Sequence, residues 1–108
     1  MDFQIDETIA DMAKAIKGEV GDDWNSISTV ANSLFADKKS RMELIADLRI
    51  KNQLSDEDFK ERLEIEKEIL QSELHAMAII TKAIAQRAAN AAIDVLSKAV
   101  SAVVGKVL

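Results

Sequence analysis

The chain has 108 residues, of which 48% are hydrophobic and 31% charged, with three Gly, no Pro and no Cys. That length supports one domain with a real core, and a composition this poor in helix breakers makes an all-α fold the expectation. The lack of cysteine excludes disulfides and thiol chemistry, and a net charge of −5 argues against nucleic acid as a partner, because that affinity rests on neutralising phosphates. The charge is uneven. Residues 1–75 hold eighteen acids against ten bases, whereas 76–108 hold one acid, Asp94, against Lys82, Arg87, Lys98 and Lys106. The start, Met1-Asp2-Phe3, lacks the basic and apolar regions of a signal peptide, and no uninterrupted apolar run reaches membrane-spanning length. The expected location is therefore the cytoplasm.

The first predicted element is a short amphipathic helix over 6–17. Ile5, Ile9, Met12, Ala13, Ile16 and Val20 recur at helical spacing, Asp6 is placed to cap the start, and Gly18 and Gly21 to end it. It is expected to lie across the bundle as a flap or cap.

A middle helix is predicted over 22–52. Trp24, Ile27, Ala31 and Leu34 form its apolar seam, with Trp24 read as a core anchor. The polar run Ala36-Asp37-Lys38-Lys39-Ser40 interrupts the seam, so the helix either passes through as one continuous or kinked helix, the preferred reading because no Gly or Pro enforces a stop, or breaks near 37–40 and restarts at Ser40. Ser40 with Glu43 offers a second capping box there. Met42, Ile45 and Leu48 resume the apolar face.

A single helix of roughly 50 residues is predicted over 55–104. Ser55-Asp56-Glu57-Asp58 places a hydroxyl at the N-cap and a carboxylate three residues later, and Gly105 is a plausible stop. Leu54, just before the cap, is placed to staple onto Phe59. Leu63, Leu70, Leu74, Met77, Thr81, Ile84, Ala88, Ala91 and Val95 follow steps of four and three, with Lys67 filling one gap. That is a heptad seam, which buries against a partner helix. A second seam, Ala85, Ala89, Ala92, Leu96, Ala99 and Val103, starts further along. The back half of such a rod would overhang the middle helix with nothing in the chain to cover it.

The junction between the middle and long helices carries a resemblance. Ile45-x-x-Leu48, then Leu54-Ser55-Asp56-Glu57-Asp58-Phe59-x-x-Arg62-Leu63, resembles the short helical hairpin known as SHOCT. That pattern has a turn, an apolar residue, Ser or Thr, a run of acids, Phe and a basic residue. Asn52 and Gln53 stand where the family usually has Gly, and the family hairpin usually closes a longer protein. The resemblance implies an oligomerisation or docking hairpin and no chemistry.

The residues offer little for catalysis. Gly18 and Gly21 are isolated and build no phosphate loop. The one histidine, His75, has no carboxylate in the adjacent turns to orient it as a base. A carboxylate metal site in a helical protein needs Glu-x-x-His on one face. This chain has Glu73-x-His75, whose side chains point about 200° apart at about 100° per residue. Glu43, Asp47, Glu64 and Glu68 are candidate facing carboxylates, but Glu61, Glu64 and Glu68 alternate with Lys60, Arg62 and Lys67 as a salt-bridged outer face does. No catalytic residue, cofactor or metal is therefore expected.

The sequence thus predicts an all-α helical hairpin or bundle with one very long C-terminal helix, completed by oligomerisation. The expected interface is Ile84, Ala88, Ala92, Val95, Leu96, Ala99 and Val103. The expected function is a non-enzymatic homo-oligomeric scaffold or interaction module, whose partner is a second copy or another helical protein. The alternative is a membrane-associated or pore-forming protein acting through residues 77–108, whose polar side is basic and whose other side is apolar. A metal-carboxylate enzyme stands third.

Overall fold

A computed structural model describes residues 3–107. Met1, Asp2 and Leu108, the ends of the single domain expected over 1–108, lie outside the described residues, as do the side chains of Lys106 and Val107. The described residues are all-helical: α1 (Ile5–Val20), a single 3-10 turn (Gly21–Asp23), α2 (Trp24–Ile50), α3 (Asp56–Ala76) and α4 (Lys82–Val107).

The first helix is longer than its caps suggest. It opens after Gln4, whose carbonyl accepts from the Thr8 hydroxyl at 2.9 Å, so Asp6 falls inside the first turn. It runs through Gly18 and ends where Gly21 adopts φ 60°. That conformation suits a residue without Cβ. Nor is α1 a flap. Ile5, Met12, Ile16 and Val20 are buried, and α1 packs along α4 more extensively than any other pair of helices does.

Helix α2 is continuous through 37–40. The polar run does not break it, because Lys38 and Lys39 find partners on other helices. Lys38 bridges to Glu73 of α3 at 3.1 Å, and Lys39 bridges to Asp6 of α1 at 2.7 Å. The hydrogen bond to Asp6 and the charge of that carboxylate hold the Lys39 ammonium above its ordinary pKa. Ile27, Ala31, Phe35, Met42, Ile45 and Ala46 face the core.

The turn from α2 to α3 is tightly bonded. Asn52 takes φ 60°, a conformation that asparagine tolerates better than most residues. Arg49 donates to the Leu54 carbonyl at 3.2 Å, and Ser55 caps α3 by accepting from the Asp58 N–H at 3.1 Å. Leu54 and Phe59 are both buried, as a staple requires.

The expected single rod over 55–104 is two helices. The chain breaks at 77–81 and folds back, so that α4 lies against α3 and α1. Ala78 makes the reversal with φ 58°, which costs an alanine about 1–2 kcal/mol. Thr81 restarts the helix by accepting from the Ile84 N–H at 3.2 Å. The sequence offers no Gly or Pro at the break, so nothing local demands it. Burial does. A straight rod would leave the alanine-rich face of α4 in water, and each 100 Å² of apolar surface covered returns about 2.5 kcal/mol. Gly105 does not stop α4, which continues to Val107.

The resulting core has α4 at its centre. Helix α4 touches all three other helices, whereas α1 and α3 do not approach each other. Ala85, Ala88, Ala89, Ala92, Leu96 and Val100 of α4 are buried. Small side chains at these positions bring neighbouring helix axes close. The molecule measures 42 × 23 × 20 Å.

Candidate interaction surface

The expected interface residues fall into two groups. Ala88, Ala92 and Leu96 are fully buried by the chain's own helices, so they present no surface to a partner in this conformation. Ile84 and Val95 are partly buried against the same core. Ala99 and Val103, towards the end of α4, are only partly covered. The overhang that motivated this interface is absent, because the break at 77–81 supplies α4 with partners inside the chain.

A different surface lies along α2 and α3. These two helices are joined by ion pairs. Glu66 is buried, with its side chain only 5% exposed, and Arg41 grips both of its oxygens: Nε to Oε1 at 2.6 Å and Nη2 to Oε2 at 2.9 Å. This two-point geometry is the strong form of the carboxylate–guanidinium contact. Lys38 and Glu73 form a second bridge on the same side, and Glu73 Oε2 is buried without a hydrogen-bond partner. Leu44 sits one turn beyond Arg41 on α2, and Ile65 immediately precedes Glu66 on α3. Both are left in solvent, at 57% and 52% exposure. Val30, two heptads before Leu44, is also exposed on α2. Exposed apolar side chains set among charged groups are the mix from which an interface core and its rim are built.

Between α3 and α4 runs an open groove of about 540 Å³. Lys60, Leu63, Glu64 and Lys67 line it from α3; Asn90, Ala91, Ile93, Asp94 and Ser97 line it from α4. The first half of α3 thus faces the middle of α4, and the reversal at 77–81 makes the two run antiparallel. Its charges are already matched: Lys60 with Asp56 at 3.0 Å, Lys67 with Glu64 at 2.6 Å, and Lys98 with Asp94 at 2.9 Å. Short-range neutralisation of this kind leaves little net field for a charged ligand.

The candidates for chemistry are dispersed. His75 is exposed in the last turn of α3 rather than mid-helix. Glu73 is engaged by Lys38, Asp47 by Lys51, and Glu64 by Lys67. Glu43 and Glu68 are exposed. Among the described residues no three His, Cys, Asp or Glu side chains come together to hold a metal. The sequence reading missed Glu66, the one buried carboxylate among the described residues. Its position is the only clue in the sequence, since it lies on the stripe of Phe59, Leu63, Leu70 and Leu74.

The fold and surface define an all-helical domain with a salt-bridged, partly apolar outer face. Comparison with family models, with curated proteins and with solved structures finds no match.

Proposed function

We propose that this chain is a non-enzymatic protein–protein interaction module of the cytoplasm, a helical bundle that associates with a second copy of itself or with another helical protein. The observation that carries the reading is the pair Leu44 and Ile65, each more than half exposed beside the Arg41–Glu66 bridge. Water would be excluded from these side chains by a partner helix laid along the α2–α3 edge, and the flanking charges would set its register. The likeness of residues 45–63 to the SHOCT hairpin supports the same reading, because it implies docking. The partly covered end of α4, at Ala99 and Val103, adds to the apolar surface available to a partner.

Size exclusion with light scattering over a range of concentrations tests this. The expected result is a dimer or larger species that Leu44→Glu with Ile65→Glu converts to a folded monomer with an unchanged circular dichroism spectrum. A folded monomer at every concentration would overturn the homo-oligomeric reading.

One observation favours a second reading. Lys82–Gly105 is long and apolar enough, by length and composition, to cross a membrane. Against it, Asp94 would sit near the bilayer centre at a cost of about 2.5–3.5 kcal/mol, Arg87 and Lys98 would add to that cost, and the core helix of a protein in water passes the same test. Salt-sensitive binding to anionic liposomes, with leakage of their contents, would favour the membrane reading. Liposomes that neither bind the protein nor leak would leave docking through α2 and α3 as the sole proposal.

A further inference from the structure

Helices α3 and α4 are separated by Met77–Thr81, a segment with neither Gly nor Pro. Its sequence is compatible with helix, and the four-and-three seam of α3 continues in register through Met77, Thr81 and Ile84 to Ala88. The interruption contains one non-glycine residue in the left-handed region, Ala78 at φ 58°. Two local contacts oppose straightening: the Thr81 cap on the Ile84 N–H, and the burial of Ile80. The remaining force that holds the reversal is the packing of α4 against α1, α2 and α3. That packing does not require α4 to come from the same chain.

We propose that two copies of this chain exchange α4. Straightening of 77–81 makes α3 and α4 one helix from Asp56 to Val107, about 78 Å long at 1.5 Å per residue. Because α3 and α4 run antiparallel in the closed chain, two such rods lie side by side about a two-fold axis. Each chain's α4 then fills the place its partner has vacated. The occupant is a second copy because the cleft left by α4 is shaped to α4 itself, a row of alanines at 85, 88, 89 and 92. The contacts of α4 with α1, α2 and α3 are remade between chains. The hinge loses the Ile80 burial and the Thr81 cap, but it relieves Ala78 and gains helical hydrogen bonds. Short strained connections are where such exchange starts. This inference goes beyond the α2–α3 docking face and uses none of its residues.

Cross-linking distinguishes exchange from docking. The chain has no cysteine of its own, so Glu19→Cys and Arg87→Cys place one thiol on α1 and one on α4, where the native side chains approach to 3.7 Å. This variant is refolded from denaturant at high concentration, separated by size, and treated with a short bismaleimide. The dimer fraction is expected to run as a covalent dimer on a denaturing gel, and the monomer fraction as an internally linked monomer. A dimer fraction that gives only internally linked monomers would overturn the exchange while leaving docking intact. Ala78→Gly is expected to raise the dissociation constant about tenfold per hinge, or about a hundredfold for two, since glycine accepts the left-handed turn and weakens the straight helix. Thr81→Ala is expected to act in the opposite sense by removing the cap of the closed form. An unchanged dimer fraction in Ala78→Gly would count against the hinge.

Discussion

Replacing Arg41 by Met removes the partner of the buried carboxylate while keeping most of the side-chain bulk. Glu66 is then left without its cation in a site where only 5% of its side chain meets solvent. Removing one member of a fully buried ion pair costs about 3–5 kcal/mol. Arg41 is itself 51% exposed, so water reaches the vacated position and the lower end, about 3 kcal/mol, is the expected loss. That is a large share of the roughly 5–15 kcal/mol that a domain of this size has. Changing both residues, Arg41→Met with Glu66→Leu, removes the stranded charge and is expected to return stability to within about 1 kcal/mol of the parent. Urea unfolding followed by circular dichroism and by the fluorescence of Trp24, the single tryptophan, gives all three values. The control is Lys51→Met, which breaks the exposed Asp47–Lys51 pair at 2.9 Å and should cost no more than about 0.5 kcal/mol. If Arg41→Met costs no more than Lys51→Met, or the double variant is as unstable as the single one, Glu66 is not held as described.

Other substitutions separate the fully buried from the partly covered part of α4. Leu96→Asp is expected to unfold the chain, since it places an unpaired charge at a fully buried site, whereas Val103→Asp is expected to leave thermal unfolding nearly unchanged. Leu96→Ala should cost about 2–5 kcal/mol in denaturant titration. Ser55→Ala removes the cap of α3 and should cost about 1 kcal/mol by the same measurement.

Much of the fold is legible one residue at a time. The stripe Ile5, Met12, Ile16 and Val20 marks α1, and Ser55 with Asp58 marks the start of α3, because capping and helical periodicity are local properties. The absence of proline and the scarcity of glycine point to all-helical structure for the same reason. Glu66 was not legible as a special carboxylate among its charged neighbours. What singles it out is Arg41, twenty-five residues away on another helix. The exposure of Leu44 and Ile65 was equally hidden, since neither residue type carries a sign of which side of α2 or α3 will stay open.

The break at 77–81 is where local and tertiary forces disagree. Met77 to Thr81 reads as helix because every residue in it tolerates helix and the seam runs through it in register. Only the arrangement of all four helices decides otherwise. A rod of this length would expose the apolar face of α4. Turning back at Ala78 costs about 1–2 kcal/mol of backbone strain, which the burial of Ala85, Ala88, Ala92, Leu96 and Val100 against α1 and α3 outweighs several-fold. The sequence by itself determined how much apolar helix had to be covered. The tertiary structure decided that α1 and α3 of the same chain cover it, because burial depends on which surfaces meet and not on the conformational preference of any one residue.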